Sequence, residues 1–388
     1  MRPRASFSSI SILAGAVVAA TFSFGLAACS GDGTASTSST TSTSSGGDGG
    51  GDAGIPCPAG SHRGESGACE AELTGWASGP KLAHARDHHV TFVAETPAGP
   101  FLYVIAGMGA AVPPLPIERA PIAADGTLGA FEDVAKVPKG IIGPGFAQLD
   151  RSFVLGGGLG GDSNSTGATY VGKIGDDGSV TLTPGPDLAS SRYHVSIAYA
   201  KGYVFALGGL FQDVSGGTPT QEVLDVVERA AFDGTTLSPW ETITKLPVKL
   251  THHATIVHDG AIYIIGGGSD VAARTDILRA TVSDGGELGP WETVGQLPEG
   301  RASPAATVFL ERLYVISGMT SLTDGEVDTV HAGAFDGSGK LGPFTSLAKL
   351  PKARAHSHQA PLYQGHFYSA GGSIHHAPQN DVFIGTFQ

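Results

Sequence analysis

The sequence predicts an all-β fold of six repeated units that close into a ring as a six-bladed β-propeller. A hydrophobic run ending in glycine recurs six times, at intervals of 50 to 58 residues, and such a period is typical of one repeated supersecondary unit. The 388 residues include 58 glycines and only 15% charged residues, a composition that favours short strands and many turns. The last glycines of the runs are Gly107, Gly157, Gly209, Gly267, Gly318 and Gly372.

Each unit has the pattern of four short antiparallel strands. The first strand and the glycine-ended second strand are separated by a short turn, which is typical of a hairpin. A third strand leads in five units to an Asp-Gly pair, the strongest short hairpin signal. The fourth strand carries an aromatic residue with an aliphatic residue six positions later, as in Trp240 and Leu246, and the second unit has Leu182 and Leu188 instead. Four-stranded units of this length form propeller blades.

The two ends of the repeat region complement each other. After Gly372 the chain has room for a third strand, at 381–387, but not for a fourth. Near the start, Trp76 and Leu82 show the fourth-strand pattern with no strands before them. We therefore expect the N-terminal strand to be the outer strand of the last blade, because this closure removes an open sheet edge.

The glycine pair after a hydrophobic strand, with an aromatic residue further along, resembles the kelch repeat. The resemblance covers residues 73–388 and implies a kelch-type six-bladed β-propeller, in the wider group that includes the central domain of galactose oxidase. Copper enzymes similar to galactose oxidase require a cysteine crosslinked to tyrosine within the propeller. No cysteine lies beyond Cys69, so the sequence lacks the crosslinked cysteine and excludes the activity of these copper enzymes.

The N-terminal residues predict export and a lipid anchor. Arg2 and Arg4 precede an uncharged stretch that ends in Leu26-Ala27-Ala28-Cys29, and this pattern indicates a signal peptide over residues 1–28. A transmembrane helix is the alternative, since the stretch is long enough to span a bilayer. The last four residues resemble the lipobox of bacterial lipoproteins, which implies acylation of Cys29 and, with Ser30 after it, sorting to the outer membrane.

Two further segments are predicted between the anchor and the propeller. Residues 29–56 are almost all Ser, Thr, Gly and Asp and are expected to form a flexible tether. Residues 57–72 contain Cys57 and Cys69, which we expect to form one disulfide in a small knuckle, since an oxidising compartment permits it. A metal site that includes His62 is the alternative.

Polar residues recur at one face of the predicted propeller. In an antiparallel blade the start of the first strand and the end of the second lie at the same edge, because the chain reverses once between them. We expect the binding rim on this face, near the mouth of the central channel. Its candidate residues are Arg86, His89, Arg192, His194, His252, Asp270, Arg301, His356, His358 and His375.

The histidines of this rim are interpreted as structural. Neighbouring residues of a strand, such as His88 and His89, point to opposite sides and cannot easily ligate one ion. Only His356 and His358 share a face by their spacing. We therefore predict no metal and no cofactor, and histidines that hydrogen-bond to nearby backbone.

The predicted function is that of a membrane-anchored extracytoplasmic propeller that binds a protein or glycan ligand or acts as a scaffold. The formal net charge of −13 argues against nucleic acid as a partner. One alternative is a sugar-modifying enzyme that resembles periplasmic sialic-acid epimerases, which are also six-bladed kelch propellers. No arrangement of base, nucleophile and orienting group in the sequence favours this enzyme. The other alternative is a purely structural envelope lipoprotein.

Overall fold

The computed structural model describes residues 56–109, 114–139, 141–269 and 271–388. These residues form six four-stranded antiparallel sheets and three short two-stranded hairpins, with no α-helix among them. From the second sheet to the fifth, the first strands of neighbouring sheets contact one another, so the first strand of a sheet is the innermost. Within the described part of the chain, none of the elements is a helix long and apolar enough to cross a membrane.

The six sheets are numbered here as blades 1 to 6 in chain order, with strands given from the innermost outward. Their bounds are, for blade 1, Val90–Thr96, Gly99–Ile105, Pro116–Pro121 and Glu132–Lys136; for blade 2, Gly145–Leu149, Ser152–Gly156, Thr169–Ile174 and Val180–Gly185; for blade 3, Ser196–Ala200, Tyr203–Leu207, Val226–Ala231 and Glu241–Lys245; for blade 4, Ala254–His258, Ala261–Ile265, Asp276–Thr281 and Glu292–Gln296; for blade 5, Ala305–Phe309, Arg312–Ile316, Val330–Ala334 and Thr345–Ser346; for blade 6, Leu362–Tyr363, His366–Ala370, Val382–Phe387 and Leu73–Ser78. The hairpins are His62–Arg63 with Cys69–Glu70, Leu210–Asp213 with Thr220–Val223, and Ser373–Ile374 with Ala377–Pro378.

The N-terminal strand is the outer strand of blade 6, so the predicted closure of the ring is confirmed. Leu73–Ser78 pairs antiparallel with Val382–Phe387, and Trp76 lies opposite Gly385. The indole Nε1 of Trp76 donates a hydrogen bond to the carbonyl oxygen of Ala348, 2.9 Å away, in the preceding blade. The first and last strands of the propeller are therefore paired within one sheet.

The glycines after the second strands join each blade to the next. The amide of Gly372, after blade 6, donates a hydrogen bond to the carbonyl oxygen of Arg86, before blade 1, at 2.9 Å. Its φ is +88°, and a Cβ atom there would lie 2.6 Å from the carbonyl oxygen of Ala355, so only glycine fits without strain. The equivalent donor in blade 2 is Gly158, one residue later than the Gly157 expected from the sequence. The six bonds are Gly107 to Ile141, Gly158 to Arg192, Gly209 to Leu250, Gly267 to Arg301, Gly318 to Arg354 and Gly372 to Arg86.

Tyrosines of the second strands connect blades at the face of the propeller opposite to the interblade glycine bonds. The hydroxyl of Tyr103 in blade 1 donates to the carbonyl oxygen of Gly178, in the hairpin between the third and fourth strands of blade 2. Tyr368 in blade 6 reaches Gly126 of blade 1 in the same way, at 2.9 Å. The aromatic residue of the repeat therefore both fills the core and satisfies a carbonyl of the next blade.

The segment before the propeller contains the predicted disulfide. Cys57 and Cys69 are bonded, and the hairpin between them includes His62–Arg63. Gly60 lies against Gly365 of blade 6, since a Cβ atom at Gly60 would be 2.4 Å from the Cα atom of Gly365. The expected signal peptide, Cys29 and all but the last residue of the tether lie outside the described residues.

Candidate functional site at the propeller axis

Six residues, one just before each first strand, define an axial ring. They share a left-handed backbone conformation, with φ between 47° and 62°, two residues after the carbonyl that accepts the interblade glycine bond. Such a conformation is uncommon for residues other than glycine. The residues are His88, Gly143, His194, His252, Ser303 and His356.

Backbone hydrogen bonds hold the axial ring together. The amide of His88 donates to the carbonyl oxygen of His356, that of Gly143 to His88, and that of His194 to Gly143, each at 2.9 Å. Between the segments before blades 4 and 5, the amide of Ser303 donates to the carbonyl oxygen of His252 at 2.6 Å. The four imidazoles are therefore carried by a backbone that is fixed from blade to blade.

The axial imidazoles form a histidine cluster together with His358. The rings of His88 and His356 stack with centroids 4.0 Å apart, and those of His194 and His252 stack at 3.7 Å. The rings of His88 and His194 are 4.9 Å apart. His358 lies 5.6 Å from His194 and 6.0 Å from His356. Five imidazoles, from the segments before the first strands of blades 1, 3, 4 and 6, thus meet at one end of the axis.

Polar side chains engage the Nδ1 atoms of the cluster. Oδ1 of Asp87 accepts a hydrogen bond from Nδ1 of His88 at 2.8 Å, and Oγ of Ser373 is hydrogen-bonded to Nδ1 of His356 at 3.0 Å. These contacts fix the orientation of the two rings and leave their Nε2 atoms for other partners. By contrast, Nδ1 of His194 is buried with no hydrogen-bond partner among the described residues.

Four of the clustered imidazoles, those of His194, His252, His356 and His358, are neutral near pH 7. Burial lowers the pKa of His194, His252 and His356 well below 6.5, and the neighbouring histidines lower it further. Burial likewise lowers the pKa of His358 to about 3. A neutral imidazole keeps one nitrogen lone pair, which can accept a hydrogen bond or bind a metal ion.

The structure places His88 in the cluster, whereas the sequence interpretation chose its neighbour. His89 is fully buried, and its Nε2 donates to the carbonyl oxygen of Ala370 at 3.0 Å, so this side chain holds blade 1 to blade 6. The sequence signal that could have identified His88 as a cluster residue is its spacing from the recurrent arginine. His88, His194 and His356 each stand two residues after an arginine.

Two of the arginines expected at the rim are buried in ion pairs. The side chains of Arg86 and Glu118 are both 0% exposed, and Nη2 lies 2.5 Å from Oε1. Arg192 and Glu228 form the same fully buried pair at 3.0 Å. Each glutamate also accepts two backbone N–H groups from the segment before the first strand of its blade, as Glu228 does from residues 189 and 190. A charge in the interior needs such partners.

Arg301 is also an interior residue. Its side chain is 1% exposed, and Nη2 donates to Glu299 at 2.7 Å and to the hydroxyl of Thr329 at 3.0 Å. The three predicted arginines therefore support the blades from inside and do not present a guanidinium group to a ligand.

One further candidate residue, His375, lies apart from the cluster. His375 is exposed in the hairpin after the glycine pair of blade 6, with Nδ1 3.8 Å from a carboxylate oxygen of Glu326. Asp270 lies outside the described residues. Of the ten candidates, the structure brings together His194, His252, His356 and His358.

A small cavity lies along the axis beside the cluster. Its volume is about 80 Å³, and its lining includes Phe146, His194, Thr255, His358 and Gln359. Pockets for small organic ligands measure about 300–1,000 Å³, so this cavity has room for a few water molecules and not for a sugar.

Comparisons with known proteins agree with the repeat and the fold. No protein-family model matches the chain. The chain is 30% identical over 126 residues to the kelch repeat and BTB domain-containing protein 1 of Horsepox virus, which covers 32% of this chain and 20% of that protein. It is 21% identical over 200 residues to the kelch repeat and BTB domain-containing protein 2 of a cowpox virus, which covers 48% of this chain and 33% of that protein.

The solved structure of YjhT has the same fold, with a TM-score of 0.60 and 12% identity, over 80% of this chain and 99% of that one. The chain spans about a fifth of the length of the first curated relatives it matches. The resemblance to kelch-repeat proteins and the six-bladed propeller are thereby confirmed. A kelch propeller is an architecture that suggests a protein-binding scaffold.

Proposed function

We propose that this protein is a membrane-anchored extracytoplasmic propeller that binds a protein ligand on its loop face, the face formed by the axial ring and the loops between second and third strands. The observation that carries the proposal is the continuity of this face. Residues 215–222 of the hairpin in blade 3 are exposed, and the base of that hairpin contacts the corresponding loop of blade 2. Gln212 donates from Nε2 to the carbonyl oxygen of Ser163, and the amide of Val214 donates to Oδ1 of Asn164, both at 2.8 Å.

The corresponding loops of blades 4, 5 and 6 are also joined by hydrogen bonds. The amide of Leu322 donates to the carbonyl oxygen of Val271, and that of His375 donates to Oε1 of Glu326. Loops supported by their neighbours present a broad and ordered surface, which suits a protein partner. The axial cavity of about 80 Å³ is too small for a sugar, which disfavours an epimerase-like site at the axis.

The proposed anchoring and location rest on the sequence before the propeller. Leu26-Ala27-Ala28-Cys29 has the pattern of a lipidation site, and the polar residues after it suit a tether to the outer membrane. The disulfide between Cys57 and Cys69 fits an oxidising compartment outside the cytoplasm.

Site-specific photo-crosslinking tests the binding face. A photoreactive residue at Gln221, on the loop face, is expected to yield a crosslinked protein adduct in intact cells. The matched control is Thr235, an exposed residue in the hairpin at the opposite face of the same blade. An adduct from Thr235 alone, or none from either position, would contradict the proposed face.

Fractionation tests the anchor. Cys29→Ala is expected to release the protein from the membrane fraction, because the acylated thiol is lost, while Ser30→Ala keeps the cysteine and remains bound. If the Cys29→Ala variant stays in the membrane fraction, the lipid anchor is wrong, whatever the crosslinking shows.

A further inference from the structure

We propose that His88, His194 and His356 form a binding site for a divalent transition-metal ion of the zinc type at the axis of the propeller. One imidazole nitrogen from each of the three lies within 4.8 Å of the other two. The three residues precede the first strands of blades 1, 3 and 6, so the site exists only when the ring is closed. This inference differs from the structural role that the sequence favoured, and it is independent of the proposed protein ligand.

The donor set suits such an ion. Imidazole nitrogen is a common ligand of zinc, copper and nickel, and three histidines with a free fourth position form a known type of zinc site. With Zn–N bonds of about 2.0–2.1 Å, tetrahedral ligand nitrogens lie about 3.4 Å apart. The three nitrogens lie within 4.8 Å of one another, so each would move inward by about 1 Å to reach this spacing.

Two of the three imidazoles are hydrogen-bonded through one ring nitrogen, as metal-bound histidines usually are. Metal-bound histidines almost always hydrogen-bond through their other nitrogen to a carboxylate, carbonyl or water, which fixes tautomer and orientation. Asp87 does this for His88 at Nδ1, at 2.8 Å, so that Nε2 is the nitrogen left for a metal ion. Oγ of Ser373 is hydrogen-bonded to Nδ1 of His356 at 3.0 Å, and in the tautomer in which Nδ1 donates, Nε2 of His356 carries the lone pair for a metal ion.

His194 supplies an independent observation. Its side chain is buried, with the residue 5% exposed, and its Nδ1 has no hydrogen-bond partner among the described residues. A buried polar nitrogen without a partner is costly, and coordination of an ion would relieve that cost. The side chain of His88 is 17% exposed, so the cluster is in contact with solvent at this ring. The ring of His252, stacked on His194, is the nearest further imidazole.

The test uses the full chain, purified without a polyhistidine tag and dialysed against a chelator. Titration calorimetry with ZnCl₂ is expected to show one site, and Co²⁺ is expected to give the ligand-field spectrum of a tetrahedral nitrogen site. His194→Ala and His356→Ala should each weaken zinc binding at least about tenfold, because each removes a ligand. His375→Ala is the matched control, since this histidine is exposed on the same face outside the cluster, and it should bind zinc as the wild type does.

A second variant covers the case in which the histidine variants fail to fold. Asp87→Asn retains every imidazole and weakens only the support of His88, so zinc affinity should fall about 10–100-fold while circular dichroism is unchanged. Saturating zinc should also raise the melting temperature of the wild type, because a ligand that binds only the folded state stabilises it. The proposal is overturned if wild type binds zinc no more tightly than the His194→Ala variant, or if Asp87→Asn and wild type bind equally.

Discussion

The amide of Gly267 donates a hydrogen bond to the carbonyl oxygen of Arg301, 2.7 Å away, and this bond joins blade 4 to blade 5. The same bond occurs at all six blade boundaries. It explains why the repeat ends in glycine, because the donor must approach a neighbouring backbone with a positive φ. Two residues after each acceptor stands a residue of the axial ring, so the contact that closes the propeller also positions the imidazoles.

Gly267→Ala is expected to destabilise the protein by at least about 2 kcal/mol. Its φ is +78°, where a Cβ atom costs about 1–2 kcal/mol, and that atom would lie 2.6 Å from the carbonyl oxygen of Thr251. Urea unfolding measures the loss. Gly161→Ala is the control, since nothing lies within 4 Å of its Cβ position, and it should change stability by no more than about 0.5 kcal/mol. Equal effects of the two substitutions would refute this account of the glycine pair.

Glu228→Gln is expected to cost about 3–5 kcal/mol of unfolding free energy. It leaves the guanidinium of Arg192 charged, buried and without its carboxylate. The matched control is Glu222→Gln, which removes the ion pair with Lys249 at the surface and should cost no more than about 1 kcal/mol. Chemical denaturation of both variants gives the comparison. A loss at Glu228 as small as that at Glu222 would show that the pair contributes little.

The pKa of His253 predicts a dependence of stability on pH. Burial lowers this pKa to about 4, whereas the unfolded residue titrates near 6.5. Between these values the unfolded chain binds one more proton than the folded chain, so stability falls as the pH falls. His253→Asn should reduce the slope of unfolding free energy against pH, near pH 5.5, by about 1 kcal/mol per pH unit. Denaturation at several pH values measures it, and identical slopes in both proteins would contradict the shift.

Trp76→Ala is expected to destabilise the ring at its closure by about 2–3 kcal/mol. The change removes the bond from Nε1 to the carbonyl oxygen of Ala348 and the contact with Phe367, whose ring centroid is 6.4 Å away. Ser78→Ala, an exposed position on the same strand, should have almost no effect. Thermal unfolding distinguishes them. If Trp76→Ala melts at the wild-type temperature, the indole does not secure the closure.

The sequence was sufficient for the fold because the repeat is local. Trp76 and Leu82 repeat a pattern seen in other blades, so the closure could be inferred without knowledge of any contact. Arg86 and Arg192 were misplaced because their partners, Glu118 and Glu228, lie more than thirty residues away, and an unpaired arginine is normally exposed.

The histidine cluster depends on backbone conformation as well as spacing. The interpretation assumed that His88 and His89 belong to one extended strand, with His89 facing the rim. In the structure His88 has a φ of +53° and lies in the axial ring, while the side chain of His89 is fully buried. Period-two alternation fails where a residue leaves the extended region, and the sequence carries no direct sign of that departure.

Both ends of the propeller chain are paired in blade 6, and this has a mechanical consequence. A pull on Cys57 reaches the propeller through the strand that the segment of Cys57 leads into, the outer strand of blade 6. The bond to Cys69 carries the load past the intervening loop, which cannot extend, and delivers it to Leu73–Ser78. That strand is held by its backbone pairing with Val382–Phe387. A stretched molecule should therefore open first between these two strands.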